Sequence, residues 1–374
     1  MSPSHVNRGS RSTAWLLLVG CLLVYNANWR EISSADTVPT RLLPVGIVHE
    51  NTLYLDRFVR HPLPGAQLFT YSVKRTRDHY VSAYPIVGAL LAVPIYALPV
   101  ALLGVPSWAV VNGLSKLSAS VMAALSVLFL YLALRRLGPE RSALVIALVY
   151  AFGTATWSVS SQGLWQHGPA QMLLALSLYL VLRGTPEWAG VAVGLMIGAR
   201  PPTLFAGVGL VGYVLWRDLR RGMRMLGLVG ATLLPLVGYN YWYFGSVQGG
   251  YAWIQATNRE LHFVDSSWST TVTDGLGGLL FSPNRGLLVY SPVLVFALVA
   301  LVRVTVRVPL RLDHFLAGGF MFGLLLVSRY SVWWGGHSFG PRYLIFCRSL
   351  QCSSSPRWPA STARGFSPRP SSAC

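Results

Sequence analysis

The run VNGLSKLSASVMAALSVLFLYLAL, residues 111–134, passes directly into RRLGPER, residues 135–141. A membrane-spanning helix needs about 20 largely apolar residues, and this run is long enough with Lys116 as its single charge. The arginines that close it are what a span carries where it meets the cytoplasm. The same arrangement recurs along the chain. Apolar runs at 13–29, 143–159, 170–182, 188–197, 203–216, 225–243, 286–302 and 314–327 alternate with short polar connections. The fold class this predicts is an all-α, polytopic integral membrane protein of about nine spans, several of them shorter than the roughly 20 residues a bilayer requires.

Composition agrees. Of 374 residues, 53% are hydrophobic and 11% charged, against about 25% charged in soluble domains. A formal net charge of +18 would point to nucleic acid in a soluble chain. Here the charge lies in short runs between apolar segments, with no basic helix to follow a phosphate backbone, so no nucleic-acid partner is expected. Lysine occurs only at 74 and 116, an arginine bias that reads as a GC-rich bacterial source. Cys21 sits in an apolar run, and Cys347, Cys352 and Cys374 show neither metal-ligand spacing nor a disulfide framework.

Sidedness follows from the arginines. With Arg8 and Arg11 inside, the connections at Arg135–Arg141, Arg183, Arg217–Arg224 and Arg303–Arg311 all fall inside too. This holds provided the segment Tyr84–Val105 does not cross. That segment carries Pro85, Pro94 and Pro99, and interior prolines remove helix hydrogen bonds. It is expected to be juxtamembrane, re-entrant or paired with a second short crossing. The first helix is expected to be retained, because Tyr25-Asn26-Ala27 puts a large ring where signal cleavage favours a small residue. The expected location is the inner membrane of a bacterium, N-terminus inside, with residues 1–347 as the membrane domain and residues 28–84 and 244–285 as long outer loops. Residues 348–374 are rich in Ser, Pro and Arg and cannot bury a core. They read as a disordered tail, either out of frame or a genuine basic terminus.

This topology places the chemically distinctive residues on one face. Asp36 follows the first span closely and has the chemistry of a general base toward a hydroxyl; an N-cap ahead of Pro39 is the bland alternative. Arg41, in the same loop, has the fork geometry that suits phosphate, although a solvated surface is the commoner fate of such a residue. Trp165 and His167 stand at a helix end, as substrate contacts or as an interfacial pair. Arg200, between Gly198 and Pro201-Pro202, must either pair with an anion or snorkel. The block Trp333–Tyr343 sets Trp334, His337 and Arg342 among glycines that permit close approach to a sugar ring. Ser282–Gly286 reads as a turn and Gly249-Gly250-Tyr251 as a mobile loop segment. No metal-ligand motif is present, and the sequence names no cofactor while leaving a divalent metal open.

Ser34-Ala35-Asp36-Thr37-Val38-Pro39-Thr40-Arg41, Ser82-Ala83-Tyr84-Pro85, Leu164-Trp165-Gln166-His167-Gly168, Gly198-Ala199-Arg200-Pro201, Phe281-Ser282-Pro283 and Trp333–Tyr343 occur in this order. Together the chain resembles the GT-C superfamily of membrane glycosyltransferases, the group that includes protein O-mannosyltransferases and aminoarabinose transferases. The resemblance reaches Leu344 and stops short of the further helices such proteins carry. It departs from the family pattern in having Asp36 alone where relatives often have paired acids, and Tyr84-Pro85 where they have a Lys- or His-Pro-Pro run. It implies a catalytic acid at Asp36, juxtamembrane helices around Tyr84–Val105, and a polyprenyl-phosphate sugar donor. The substrate contacts it implies are Arg41, Tyr84, Trp165, His167, Arg200, Trp334, His337 and Arg342, with membrane lipids as partners. The expected function is transfer of a hexosyl or pentosyl group to an acceptor at the outer face of the cell envelope. The rival classes are a transporter of lipid-linked substrate, a non-catalytic membrane scaffold and an inactive truncated enzyme. A transporter would set ionisable groups near mid-membrane.

Overall fold

The structure, a computed structural model, describes residues 8–68, 71–262, 266–296, 299 and 311–335. In chain order its elements are α1 (Arg8–Asn26), α2 (Val38–Glu50), α3 (Asp56–Arg60), the strands β1 (Val73–Thr76) and β2 (His79–Ser82), α4 (Val87–Leu103), α5 (Trp108–Arg135), α6 (Glu140–Phe152), α7 (His167–Arg183), α8 (Pro186–Ala199), α9 (Leu204–Arg217), α10 (Leu219–Phe244), α11 (Tyr251–His262), α12 (Val272–Phe281), α13 (Leu287–Tyr290) and α14 (Leu312–Ser328). The all-helical expectation holds apart from one hairpin. Among the described residues, α5 and α10 are long and apolar enough to cross a membrane, while α4, α8, α12, α14 and residues 12–26 of α1 are apolar but shorter. Residues 297, 298 and 300–302 of the 286–302 run and the whole of 348–374 lie outside the described residues.

The helices form a chain of neighbours: α1 and α6 lie on α5, α5 on α7, α7 on α8, α8 on α10, and α9 on both α10 and α14. The α8–α10 contact is made possible by composition. Gly190, Gly194 and Gly198 recur every fourth residue and form one face of α8. A methyl group at Gly190 would stand 2.3 Å from the Met225 carbonyl oxygen, and one at Gly194 2.7 Å from Thr232 Cβ. At Gly198 it would stand 2.3 Å from Leu236 Cδ1. Small residues at every fourth position let two backbones approach where apolar burial offers no drive between helices. Gly209 and Gly319 do the same for α9 and α14, meeting the carbonyls of Phe315 and Phe205.

Three sequence expectations change. The outer loop 28–84 contains a buried helix, α2, whose Leu42, Leu43 and Val45 belong to the main core. It escaped an apolar reading because Arg41 interrupts it, and that charge is answered inside the protein. Tyr84–Val105 forms the continuous helix α4 despite internal Pro94 and Pro99, packed against the short α2. The run 143–159 is not one helix: α6 stops at Phe152 and a wide turn of π type follows over Thr156–Ser160. There Thr154 Oγ1 donates to the Tyr150 carbonyl at 2.6 Å, occupying an acceptor that a continuing helix would use.

The hairpin pairs Val73 with Ser82 and Thr76 with His79. Its two turn residues, Arg77 and Asp78, both take positive φ, +50° and +64°, the geometry that matches strand twist in a two-residue turn. The turn docks on the end of α10, with the Arg77 guanidinium 3.7 Å from the centre of the Trp242 ring and its Nε donating to the Trp242 carbonyl at 3.2 Å.

The glycine face of α8 gives a paired test. Gly194→Ala should destabilise the protein by about 1–3 kcal/mol, the usual cost of overpacking. Gly230→Ala on α10, where an added methyl meets nothing within 4 Å, should leave stability unchanged or raised. Thermal unfolding in detergent measures both.

Candidate functional site

Asp36 sits in a single 3-10 turn, Ala35–Thr37, that leads into α2. Ser34 caps this turn, its Oγ accepting from the Asp36 amide at 3.4 Å. Thr37 precedes α2 and makes no side-chain cap bond, while Pro39 occupies the first turn of the helix. The capping role is therefore taken by Ser34. The Asp36 carboxylate instead accepts a hydrogen bond from the Tyr71 hydroxyl at 3.1 Å and faces a cavity of about 810 Å³.

Another part of the lining is cationic. Arg200 follows α8 in extended conformation, φ −155° and ψ 98°. The residue before a proline is pushed out of helical geometry, so Pro201-Pro202 end α8 and leave Arg200 at its tip. Thr203 ties the bend by donating to the Arg200 carbonyl at 2.7 Å. The guanidinium is 5% exposed, and its Nη1 lies 2.6 Å from His167 Nδ1. A guanidinium has only donors, so Nδ1 accepts, the ring is neutral and its proton is on Nε2. α7 begins at His167 and α9 at Leu204, and both helix starts line this cavity. Helix N-termini carry partial positive charge, which with Arg200 makes this wall suited to an anion such as phosphate.

Of the residues singled out in the sequence, Asp36, Tyr84, Trp165, His167 and Arg200 line this one cavity. Trp165 is buried, its ring centre 6.1 Å from that of His167. Trp334 is not on the lining. It stands edge-on to Trp333 at 5.8 Å, although its neighbour Gly335 reaches the cavity. His337 and Arg342 lie outside the described residues. Among the described residues no group of three His, Cys, Asp or Glu side chains could hold a metal ion.

Arg41 is absent from the lining and lies behind the Asp36 turn. Its Nη1 donates to Glu31 Oε2 at 3.1 Å and to Asn112 Oδ1 at 2.8 Å. Nη2 donates to Ser33 Oγ and to Thr37 Oγ1, both at 2.8 Å, and Nε to Thr37 Oγ1 at 3.0 Å. The ring of Trp108 lies 4.9 Å from the guanidinium carbon. The group expected on substrate thus has its donors spent within the protein. Sequence reasoning passed over its partner Glu31.

Tyr71, Gln166 and Tyr251 were also missed, and all three line the cavity. The Tyr251 hydroxyl donates to Gln166 Oε1. The mobile segment expected at Gly249-Gly250-Tyr251 is a packed corner. A side chain at Gly250 would stand 2.1 Å from the Ala83 carbonyl oxygen, so the start of α11 is pressed against the end of the hairpin. That second glycine was the available signal.

No protein-family model and no curated protein sequence matches the chain. Solved structures do. The crystal structure of the Archaeoglobus fulgidus oligosaccharyltransferase in the apo form superposes with a TM-score of 0.52 at 12% identity, covering 91% of this chain. The chain shares its fold with an archaeal oligosaccharyltransferase. It spans 50% of the length of that protein. A second structure from the same organism, oligosaccharyltransferase AglB in complex with an inhibitory peptide and a dolichol-phosphate, superposes less well, with a TM-score of 0.46 at 14% identity over 93% of this chain and 50% of that one. The mostly helical architecture expected from the sequence is the one found, and it is the fold this neighbour shares.

Burial pushes the Glu31 carboxyl above its ordinary value of 4.5, outweighing the pull of Arg41. The folded chain then binds this proton more tightly than the unfolded chain does. Its contribution to stability is complete below pH 4.5 and is lost as pH rises through the raised folded value. Melting temperatures from pH 4 upward should fall for the wild type relative to Glu31→Gln, which keeps an acceptor for Arg41 without the charge.

Proposed function

We propose that the chain is a membrane glycosyltransferase that moves one sugar from a polyprenyl-phosphate carrier to an acceptor hydroxyl at the outer face of a bacterial inner membrane. The observation that carries this reading is a single cavity lined both by a carboxylate, Asp36, and by a buried arginine with two helix starts. The shared fold supports it. Membrane insertion is supported by large apolar side chains turned outward, among them Leu16, Leu98, Leu102 and Leu234, each more than two-thirds exposed. Soluble monomers rarely present such surface in quantity. The membrane domain is read as residues 1–347 with about nine spans, a number that assumes the shorter helices cross a locally thinned bilayer.

In this mechanism the acceptor hydroxyl oxygen attacks the anomeric carbon of the donor sugar. The bond from that carbon to the phosphate oxygen breaks, and the acceptor proton passes to Asp36 as general base. Tyr71, donating to Oδ1 at 3.1 Å, orients the carboxylate that takes the proton. The polyprenyl phosphate departs with its negative charge held by Arg200, kept in place by the neutral His167. Trp165 supplies an aromatic wall for the sugar, and Tyr84 closes the cavity beside it.

Reconstitution with a radiolabelled polyprenyl-phosphate sugar tests the assignment. Asp36→Asn should lower transfer by about 10²–10⁴-fold, the range of general-base contributions, with donor binding retained. Equal transfer by wild type and variant would sink the base assignment. Arg200→Gln should weaken binding of dodecyl phosphate by about tenfold or more, the worth of a charge-assisted hydrogen bond. Unchanged affinity, read by calorimetry, would remove Arg200 from the phosphate site.

A further inference from the structure

Behind the Asp36 wall lies a buried polar cluster that the proposed mechanism does not use. Glu31 and Arg41 have side chains 8% and 7% exposed, and Lys116 and Gln162 are each 4% exposed. Gln162 has its amide fully engaged. Its Oε1 accepts from Lys116 Nζ at 2.6 Å and from Asn28 Nδ2 at 2.8 Å. Its Nε2 donates to the Trp157 carbonyl at 2.8 Å and to Ser161 Oγ at 2.9 Å. Lys116 also donates to the Ser161 carbonyl at 3.1 Å.

The cluster joins two stretches of chain that meet at the cavity. The Ile32 amide donates to the Gln162 carbonyl at 2.9 Å. Glu31 Oε1, buried and without a hydrogen-bond partner among the described residues, lies against Gly163, where a methyl group would stand 2.4 Å from it and 2.8 Å from Ser33 Cβ. One stretch continues from Glu31 through the residues Arg41 grips to Asp36. The other continues from Gln162 to Trp165 and His167.

We propose that Glu31, Arg41, Lys116 and Gln162 are positioning residues that bolt the Asp36 turn to the Trp165–His167 segment and so set the separation between the base and the anion-binding wall. The inference rests on the glycosyl-transfer reading for its link to rate, but not for the bolt itself. Directional bonds suit this task better than apolar packing. Burying charges costs more than burying hydrocarbon of the same volume, whereas a satisfied buried network specifies one arrangement. Arg41 answers Ser33, Ser34 and Thr37 from a single planar fork, a geometry that a lysine cannot reproduce.

The test uses the full chain in lipid nanodiscs with Arg41→Met, Arg41→Lys, Gln162→Glu and Gly163→Ala. Gly163→Ala removes no hydrogen-bonding group and only wedges the two stretches apart. Tyr25→Phe serves as the control, since it deletes an equally buried hydrogen bond, to the Ala151 carbonyl, in the separate α1–α5–α6 core. Hydrogen exchange read by mass spectrometry should accelerate in residues 28–41 and 161–166 for the cluster variants and not for the control. In the transfer assay kcat should fall on the order of 10- to 100-fold, as expected for a small misplacement of reacting groups. KM for the donor should stay within about threefold, because Arg200 and His167 are untouched. Arg41→Lys should behave like Arg41→Met.

Unchanged exchange in both stretches would overturn the bolt, whatever the activity. A normal kcat in Gly163→Ala and Gln162→Glu with an active wild type would overturn its link to rate. So would a control that loses activity in parallel, because the effect would then be general instability. Should Arg41→Met fail to fold, Gly163→Ala and Gln162→Glu carry both readouts. A wild type that transfers nothing would refute the glycosyl-transfer reading alone, and the exchange data would still decide the bolt.

Discussion

A buried guanidinium has to have its donors answered by the protein, and much of the architecture around the cavity follows from how Arg41 meets that requirement. Its acceptors come from residues 31–37, just ahead of α2, and from Asn112 of α5. The segment before α2, α2 itself, which carries Arg41, and the distant α5 are therefore held around one group. Removing one partner of a buried ion pair leaves an uncompensated charge, which typically costs about 3–5 kcal/mol. The Asp36 turn is rigid for this reason, although its own sequence, Ser-Ala-Asp-Thr, would form only a single local turn.

The helical architecture was legible because apolar runs report helices directly, as for α5, α7, α9 and α10. The site was legible because polar residues at the ends of successive antiparallel helices fall alternately on opposite sides, so those sharing a side can converge. Asp36, His167 and Arg200 were grouped on that ground and do line one cavity. What stayed hidden was whatever depends on a distant partner. α2 looked like loop because nothing local shows that Arg41 is paired. Glu31 was passed over because its weight comes from burial against Arg41 and Gly163, which the sequence does not show. Gly250 read as slack because the Ala83 carbonyl that excludes a side chain there is more than 160 residues away in the chain. Arg41 was recognised as a phosphate-type fork, but its geometry serves hydroxyls, an amide and a carboxylate of the protein instead.

The two walls of the cavity also divide the electrostatic labour. Arg200 and the helix starts at His167 and Leu204 supply positive potential that does not depend on a titrating group, since a guanidinium keeps its proton and a helix terminus has none to lose. The acid belongs to a different element lining the same cavity, the turn before α2. Grip on an anion and movement of a proton are thereby assigned to separate elements of the fold, α7–α9 for one and the turn before α2 for the other.

The glycine face of α8 has a mechanical consequence. Side chains between packed helices act as a compliant layer, since rotamers can shift to absorb a small displacement. Between α8 and α10 much of that layer is missing at Gly190, Gly194 and Gly198. α10 is also the helix whose Leu234, Tyr241 and Trp242 face outward. A tilt imposed on α10 by its surroundings would pass to α8 almost undamped, and the tip of α8 carries Arg200.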